Sequence, residues 1–247
     1  MTDWELGDRS GDVEQTFAAL ADHVIDGLLA RSPGLASGLG DHRFDDRLSD
    51  LSEDGLGETL STIDEDLSAI DQIDDLALGQ ASAVDLEILR AKLAAEKLSI
   101  ETIREVEWNP LVANPGSDLH VLLARDFAPL AERLTSLAGR LAAVPEALTV
   151  AREMLGEMPQ VHVETAIGQF EGTRHLLEGQ VEAALAAEPS LRRLVEPARD
   201  AAAGALEAHL GWLRDRLEGG RATREPRLGP EKFAAKLWAT LDADLTP

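Results

Sequence analysis

Residues 189–220 read PSLRRLVEPARDAAAGALEAHLGWLRDRLEGG, and this stretch decides the fold class. Leu191, Val195, Ala198, Ala202, Leu206, Leu210, Leu213 and Leu217 recur in steps of three and four, which places them on one face of an α-helix. Pro189 stands where a first-turn proline costs no hydrogen bond. Gly219-Gly220 ends the pattern, and Pro197 inside it predicts a bend.

The same period continues on both sides. Phe17, Leu20, Val24 and Leu28 form a stripe over residues 10–31, with Ser10 as its cap and Ser32-Pro33-Gly34 as its stop. Ser52 opens a second helix through Leu56, Leu60, Ile63, Leu67 and Ile70. A third is expected over residues 79–107, ending at Trp108-Asn109-Pro110, because the residue before a proline is pushed out of the α region. A helix capped by Ser117 or Asp118 should kink or restart at Pro129, and Pro145, Pro159 and Pro189 should each begin a further segment. A last helix is expected from Pro230 to Leu241. No segment alternates with period two for long enough to make a strand. The expected architecture is all-α, a bundle of about seven or eight helices with proline-marked turns. We expect one helical domain over residues 1–247, itself the N-terminal part of a larger fold, with residues 1–9 as a flexible start. Thr246-Pro247 is a helix-start signal at the very end, consistent either with a truncated chain or with a frayed polar tail.

Composition narrows the function classes. The 247 residues carry 23 Lys+Arg against 46 Asp+Glu, a net charge of −23, so phosphate backbones and anionic headgroups repel the chain. Nucleic acid and membrane are therefore not expected partners. Residues 41–75 alone hold thirteen acidic residues against two arginines, which reads as a solvated acidic face. With no cysteine there is no disulfide, thiolate metal site or cysteine nucleophile. The first ten residues, MTDWELGDRS, lack a leader pattern, and a cytoplasmic location is expected.

Six histidines, His23, His42, His120, His162, His175 and His209, offer the chemistry to be tested. A zinc peptidase helix needs two imidazoles four residues apart and a carboxylate to take the proton of the metal-bound water. No two histidines here have that spacing. Glu164, Glu171, His175, Glu178 and Glu182 fall on one narrow face, and Glu171, His175 and Glu178 are the weak alternative for a metal. A water-facing stripe explains them as well. The loop Gly40-Asp41-His42-Arg43-Phe44-Asp45-Asp46-Arg47-Leu48 is the other candidate, since charged loops on rigid scaffolds often carry function.

That loop, with Trp108-Asn109-Pro110, the stretch Leu123-Ala124-Arg125-Asp126-Phe127-Ala128-Pro129-Leu130, and Leu228-Gly229-Pro230-Glu231-Lys232-Phe233, resembles the N-terminal region of the bacterial domain-of-unknown-function family 885 (DUF 885). The resemblance runs from about residue 12 to the end. It implies a zincin-like metallopeptidase whose His-Glu-x-x-His helix and downstream glutamate ligand lie in a C-terminal half absent from this sequence. It therefore assigns no catalytic residue and no cofactor here, and implies zinc only for the missing half. The expected role is a non-catalytic helical wall of a substrate cleft, inactive alone. Gly40, Asp41, His42, Arg43, Asp45, Gly229 and Pro230 are the residues expected to approach that cleft. The expected partner is the catalytic half or another protein. An autonomous acidic interaction module is the alternative.

Overall fold

The computed structural model describes residues 9–241, with side chains from residue 11. Among them the elements are helical throughout: α1 (Arg9–Arg31), α2 (Pro33–Leu39), α3 (Glu53–Ile70), α4 (Gln80–Leu98), α5 (Gly116–Ala124), α6 (Leu130–Met154), α7 (Gln160–Leu176), α8 (Glu182–Ala187), α9 (Arg192–Glu218) and α10 (Pro230–Leu241). A single isolated bridge, Pro159 to Thr223, is the only extended pairing among the described residues. The all-α expectation holds. The Ser10 cap and the Thr246-Pro247 signal lie outside the described side chains.

Several boundaries differ from the sequence reading, each for a physical reason. Pro33 does not open a loop. It occupies the first turn of α2, where its missing N–H has no helical acceptor to lose, and Gly40 ends that helix in the left-handed region at φ 94°. The helix expected to reach residue 107 stops at Leu98, widens into a π turn over Ser99–Ile103, and breaks at Arg104, whose φ of 56° no helix tolerates. Pro145 begins nothing: it lies inside α6. The apolar ridge Leu137, Leu141, Val144, Leu148 runs unbroken past it, buried against α9, and outweighs the lost hydrogen bond. Pro197 is likewise accommodated inside α9, and Pro129 stands just before α6, restarting the helix after α5.

The chain divides into two compact units, residues 1–28, 57–103 and 228–247, and residues 29–56 and 104–227. In the first, Phe17 and Val24 of α1, Ile63 and Ile70 of α3, and Leu86 and Leu93 of α4 form a small core. The acidic face of α3 is not wholly solvated. Asp64 pairs with Lys97, Asp71 lies 3.4 Å from Arg90, and Asp66 is buried with His23 3.7 Å away. Helix α10 packs on α4, and Lys232 Nζ donates to the Thr102 carbonyl at 2.7 Å. A broad apolar groove of about 1090 Å³ remains between them, lined by Val84, Ile88, Ala95, Trp238 and Leu241.

The second unit holds the larger core. Helix α6 lies along α9, α7 packs on α9, and α5 on α6. Leu134, Leu137, Leu141, Val163, Phe170, Leu206, Leu210 and Leu213 fill the space between them. Their steps of three and four are the ones that identify these segments as helices in the sequence.

Candidate functional site

The loop between α2 and α3 is where the structure gathers charge. It begins at Gly40, whose N–H reaches back to the last carbonyls of α2, while Asp41 N donates to the Ala36 carbonyl at 2.9 Å. Asp41 then folds back on Arg43: its carboxylate accepts from the Arg43 backbone at 3.1 Å and from Nη2 at 2.6 Å. Those hydrogen bonds hold the Asp41 carboxyl below its usual range. The guanidinium groups of Arg43 and Arg47 lie 5.2 and 5.6 Å from the Phe44 ring centre.

His42 and Asp45 form the central pair. Asp45 is only 3% exposed, and its Oδ2 lies 2.9 Å from His42 Nδ1. Its other oxygen accepts from the Ser37 hydroxyl. A buried carboxylate is stable only when its acceptor sites are filled. It therefore favours the His42 tautomer that carries hydrogen on Nδ1 and leaves Nε2 as a free acceptor. The imidazole lies flat on Phe127, with ring centres 3.6 Å apart and planes 8° from parallel. Arg133 positions that ring by tying down the α5–α6 connection. It donates to the carbonyls of Leu122 and Ala128, each at 3.0 Å, and to Asp126 at 2.7 Å.

Beneath the loop lies Arg140, completely buried. Its Nε donates to the Arg47 carbonyl at 2.9 Å, and Nη1 to the Asp118 carbonyl at 2.5 Å. Nη2 donates to the Pro33 carbonyl at 3.1 Å and Ser37 Oγ at 2.6 Å. Asp45 Oδ1 sits 3.8 Å from the same nitrogen. One guanidinium thus ties α2, the loop and α5 to α6. Burial lowers the Arg140 pKa, opposed by Asp118, Asp45 and Asp46, and its ordinary value is high enough that it stays charged. Sequence reasoning passed over Arg140 and Arg133. The available signal was their position: residues 133, 137, 140 and 144 share the core-facing stripe of α6, where an arginine must find partners.

The other expected site residues fall elsewhere. Gly229 has φ 81° and its carbonyl accepts from Phe233 N at 3.0 Å, so Gly229 and Pro230 start α10. They belong to the first unit, whereas Gly40, Asp41, His42, Arg43 and Asp45 belong to the second. On α7, Glu171 is engaged by Arg214 at 2.6 Å, and in the π turn Leu177–Val181 that follows it Glu178 is engaged by Arg174 at 2.5 Å, with His175 Nε2 3.4 Å from Arg174 Nη2. Carboxylates held by guanidinium groups at this range are poor metal donors. No three His, Asp or Glu side chains among the described residues are grouped to hold a metal ion.

The family model for bacterial protein of unknown function (DUF885) matches residues 33–247. A candidate lipoprotein of unknown function from Shewanella oneidensis has a similar structure, with a TM-score of 0.87 at 23% identity. The match covers 93% of this chain and 43% of that one, so the present chain spans less than half the length of that neighbour. At this identity the likeness is one of fold. No curated protein matches, and no described helix is long and apolar enough to cross a membrane. The family match begins at Pro33, takes in the His42 loop, Arg140 and α10, and covers well over half of the residues: the chain belongs to the DUF885 family.

Proposed function

We propose that this chain serves as the helical N-terminal part of a larger DUF885 protein, and that it forms one wall of a substrate cleft without performing catalysis itself. The observation that carries this reading is His42, held through Nδ1 by the buried Asp45 and left with a free Nε2 on an otherwise self-satisfied loop. A scaffold that spends a buried carboxylate, a serine and a guanidinium on fixing one imidazole suits a group that must meet a ligand in one orientation. The match to 43% of the Shewanella chain supports a larger whole. The zincin chemistry implied by the sequence resemblance falls, in this reading, to residues outside the chain, and no group of three ligating side chains is gathered among the described residues. A cytoplasmic setting is part of the proposal.

The test uses the purified chain and a separately produced companion carrying the His-Glu-x-x-His half. Alone, the chelator-free chain is expected to bind no stoichiometric zinc and to hydrolyse no peptide. Mixed with the companion, it should support hydrolysis, and His42→Ala should raise KM more than it lowers kcat. Stoichiometric zinc together with turnover in the chain alone overturns the reading.

A further inference from the structure

Helix α4 carries two apolar faces. Leu86 and Leu93 are fully buried in the core of the first unit. Val84, Ile88, Ala91 and Ala95 recur in steps of four, three and four on another side of the helix. There Val84 is 53% and Ile88 59% exposed. Helix α10 repeats the imbalance. Phe233, Leu237, Trp238 and Leu241 follow the helical period, yet α10 holds no buried residue, and Trp238 and Leu241 are more than half exposed. An apolar stripe on a helix is ordinarily turned to a core. These two stripes instead line the groove of about 1090 Å³ between α4 and α10.

The lining states what would fit. Ala91, Ala95, Ala235 and Ala239 take up little space, so the backbone of a guest helix can come close. Glu87 is the one charged residue among those lining the groove, and Arg90 already pairs with it. The complement is a helix with large apolar side chains on one face and no charge at its centre.

Charge and shape choose among the possible sources. A net charge of −23 turns away an anionic lipid surface. A second copy brings the same charge, and a two-fold contact needs a patch complementary to itself, which a groove is not. The rest of a longer protein supplies the guest more readily. The matched region makes up 43% of the Shewanella neighbour, so more than half of that chain lies outside it. Leu241, at the end of α10, lines the groove, and Thr246-Pro247, close behind it in sequence, is a helix-start pattern.

We propose that the groove between α4 and α10 seats an apolar-faced helix from the remainder of the larger DUF885 protein, with Ile88 and Trp238 as its main anchors. The inference rests on the larger-whole reading above and gives it a contact surface.

The chain has no cysteine, so Gln80→Cys, at an exposed position in the groove lining, accepts a single thiol-linked, polarity-sensitive fluorophore. Leu76→Cys, at a residue 93% exposed and outside the groove, is the reference. Titration with the separately produced part carrying the His-Glu-x-x-His motif should give a saturable blue shift at position 80 and none at position 76. Ile88→Glu buries a charge in the contact, and Trp238→Ala removes an anchor. Each should weaken binding about tenfold or more, while Leu76→Glu leaves it unchanged. Both groove residues are exposed, so the melting curve of each variant should match that of the wild type. Undiminished binding by both variants overturns the groove and leaves the larger-whole reading standing. No binding by the wild-type chain overturns both. A dimer of the chain alone that Ile88→Glu disperses makes a second copy the guest, and that also overturns the proposal.

Discussion

Gly139 of α6 faces Asp46 so closely that a Cβ at position 139 would lie 2.7 Å from the Asp46 carbonyl oxygen and 2.8 Å from its Cβ. The loop backbone therefore rests directly on the helix, one residue before Arg140 gathers the same loop from below. Because the obstruction includes backbone, Gly139→Ala cannot be relieved by a rotamer change. It should cost about 1–3 kcal/mol, read as a lower urea midpoint, and shift the amide resonances of residues 44–48. A variant as stable as the wild type, with those resonances unmoved, would contradict the close approach.

Replacing Arg140 removes the donors of three carbonyls and a hydroxyl and leaves Asp45 without its nearby cation. Arg140→Met is expected to cost about 3–5 kcal/mol, the range seen when one partner of a buried charged network is deleted. Arg140→Lys should recover only part of that loss, since an ammonium cannot span the fork that reaches Arg47, Asp118 and Pro33 together. Equilibrium unfolding of the two variants measures both statements.

The tautomer of His42 is open to direct measurement. At neutral pH the imidazole nitrogen shifts should report hydrogen on Nδ1, donated to Asp45. Asp45→Asn should let the Nε2–H form gain population and should destabilise the chain by about 1–3 kcal/mol, as the buried Ser37 hydroxyl and the exposed His42 imidazole lose a charged acceptor. A wild-type spectrum dominated by Nε2–H would remove the basis for reading His42 as an oriented acceptor.

His209 gives the fold a pH dependence. It is fully buried on α9, its ring centre 4.7 Å from Phe170 and 5.5 Å from Trp212, and neither ring nitrogen has a partner among the described residues. Burial, with a smaller contribution from Arg152, lowers its pKa from 6.5 to about 4. The unfolded chain thus binds a proton at a pH where the folded chain does not. Stability from this group is complete above pH 6.5, falls as pH drops from 6.5 towards 4, and levels off below, a loss of about 3 kcal/mol across the window. His209→Leu should flatten that part of the profile. The difference between wild-type and variant unfolding free energies at pH 7 and pH 4.5 isolates it from the carboxylates. Parallel profiles would count against the assignment.

Local sequence determined where most helices run. The apolar steps that define α9 put Val195, Ala202, Leu206, Leu210 and Leu213 in the core, because a period near 3.6 leaves one face to bury whatever the neighbours are. The prolines were less legible. A proline's effect depends on whether the lost N–H bond is offset by packing on the far side, and that is invisible locally. Pro145 sits within a ridge buried against α9, so α6 continues through it. Pro33 and Pro159 stand at or just before a helix start, where nothing is lost.

The candidate site divides in the same way. Its loop, with glycine, histidine and paired charges, stood out in the chain itself, and Asp41 and Arg43 pair over a separation of two residues. Its internal order did not: Ser37, Asp45, Phe127 and Arg140 come from separate segments, and only packing of α2 and α5 on α6 brings them around His42. Periodicity acts between neighbours in sequence and so declares the helices. A buried charge is satisfied only by partners delivered from elsewhere, so which side chains become a site is settled when the helices meet.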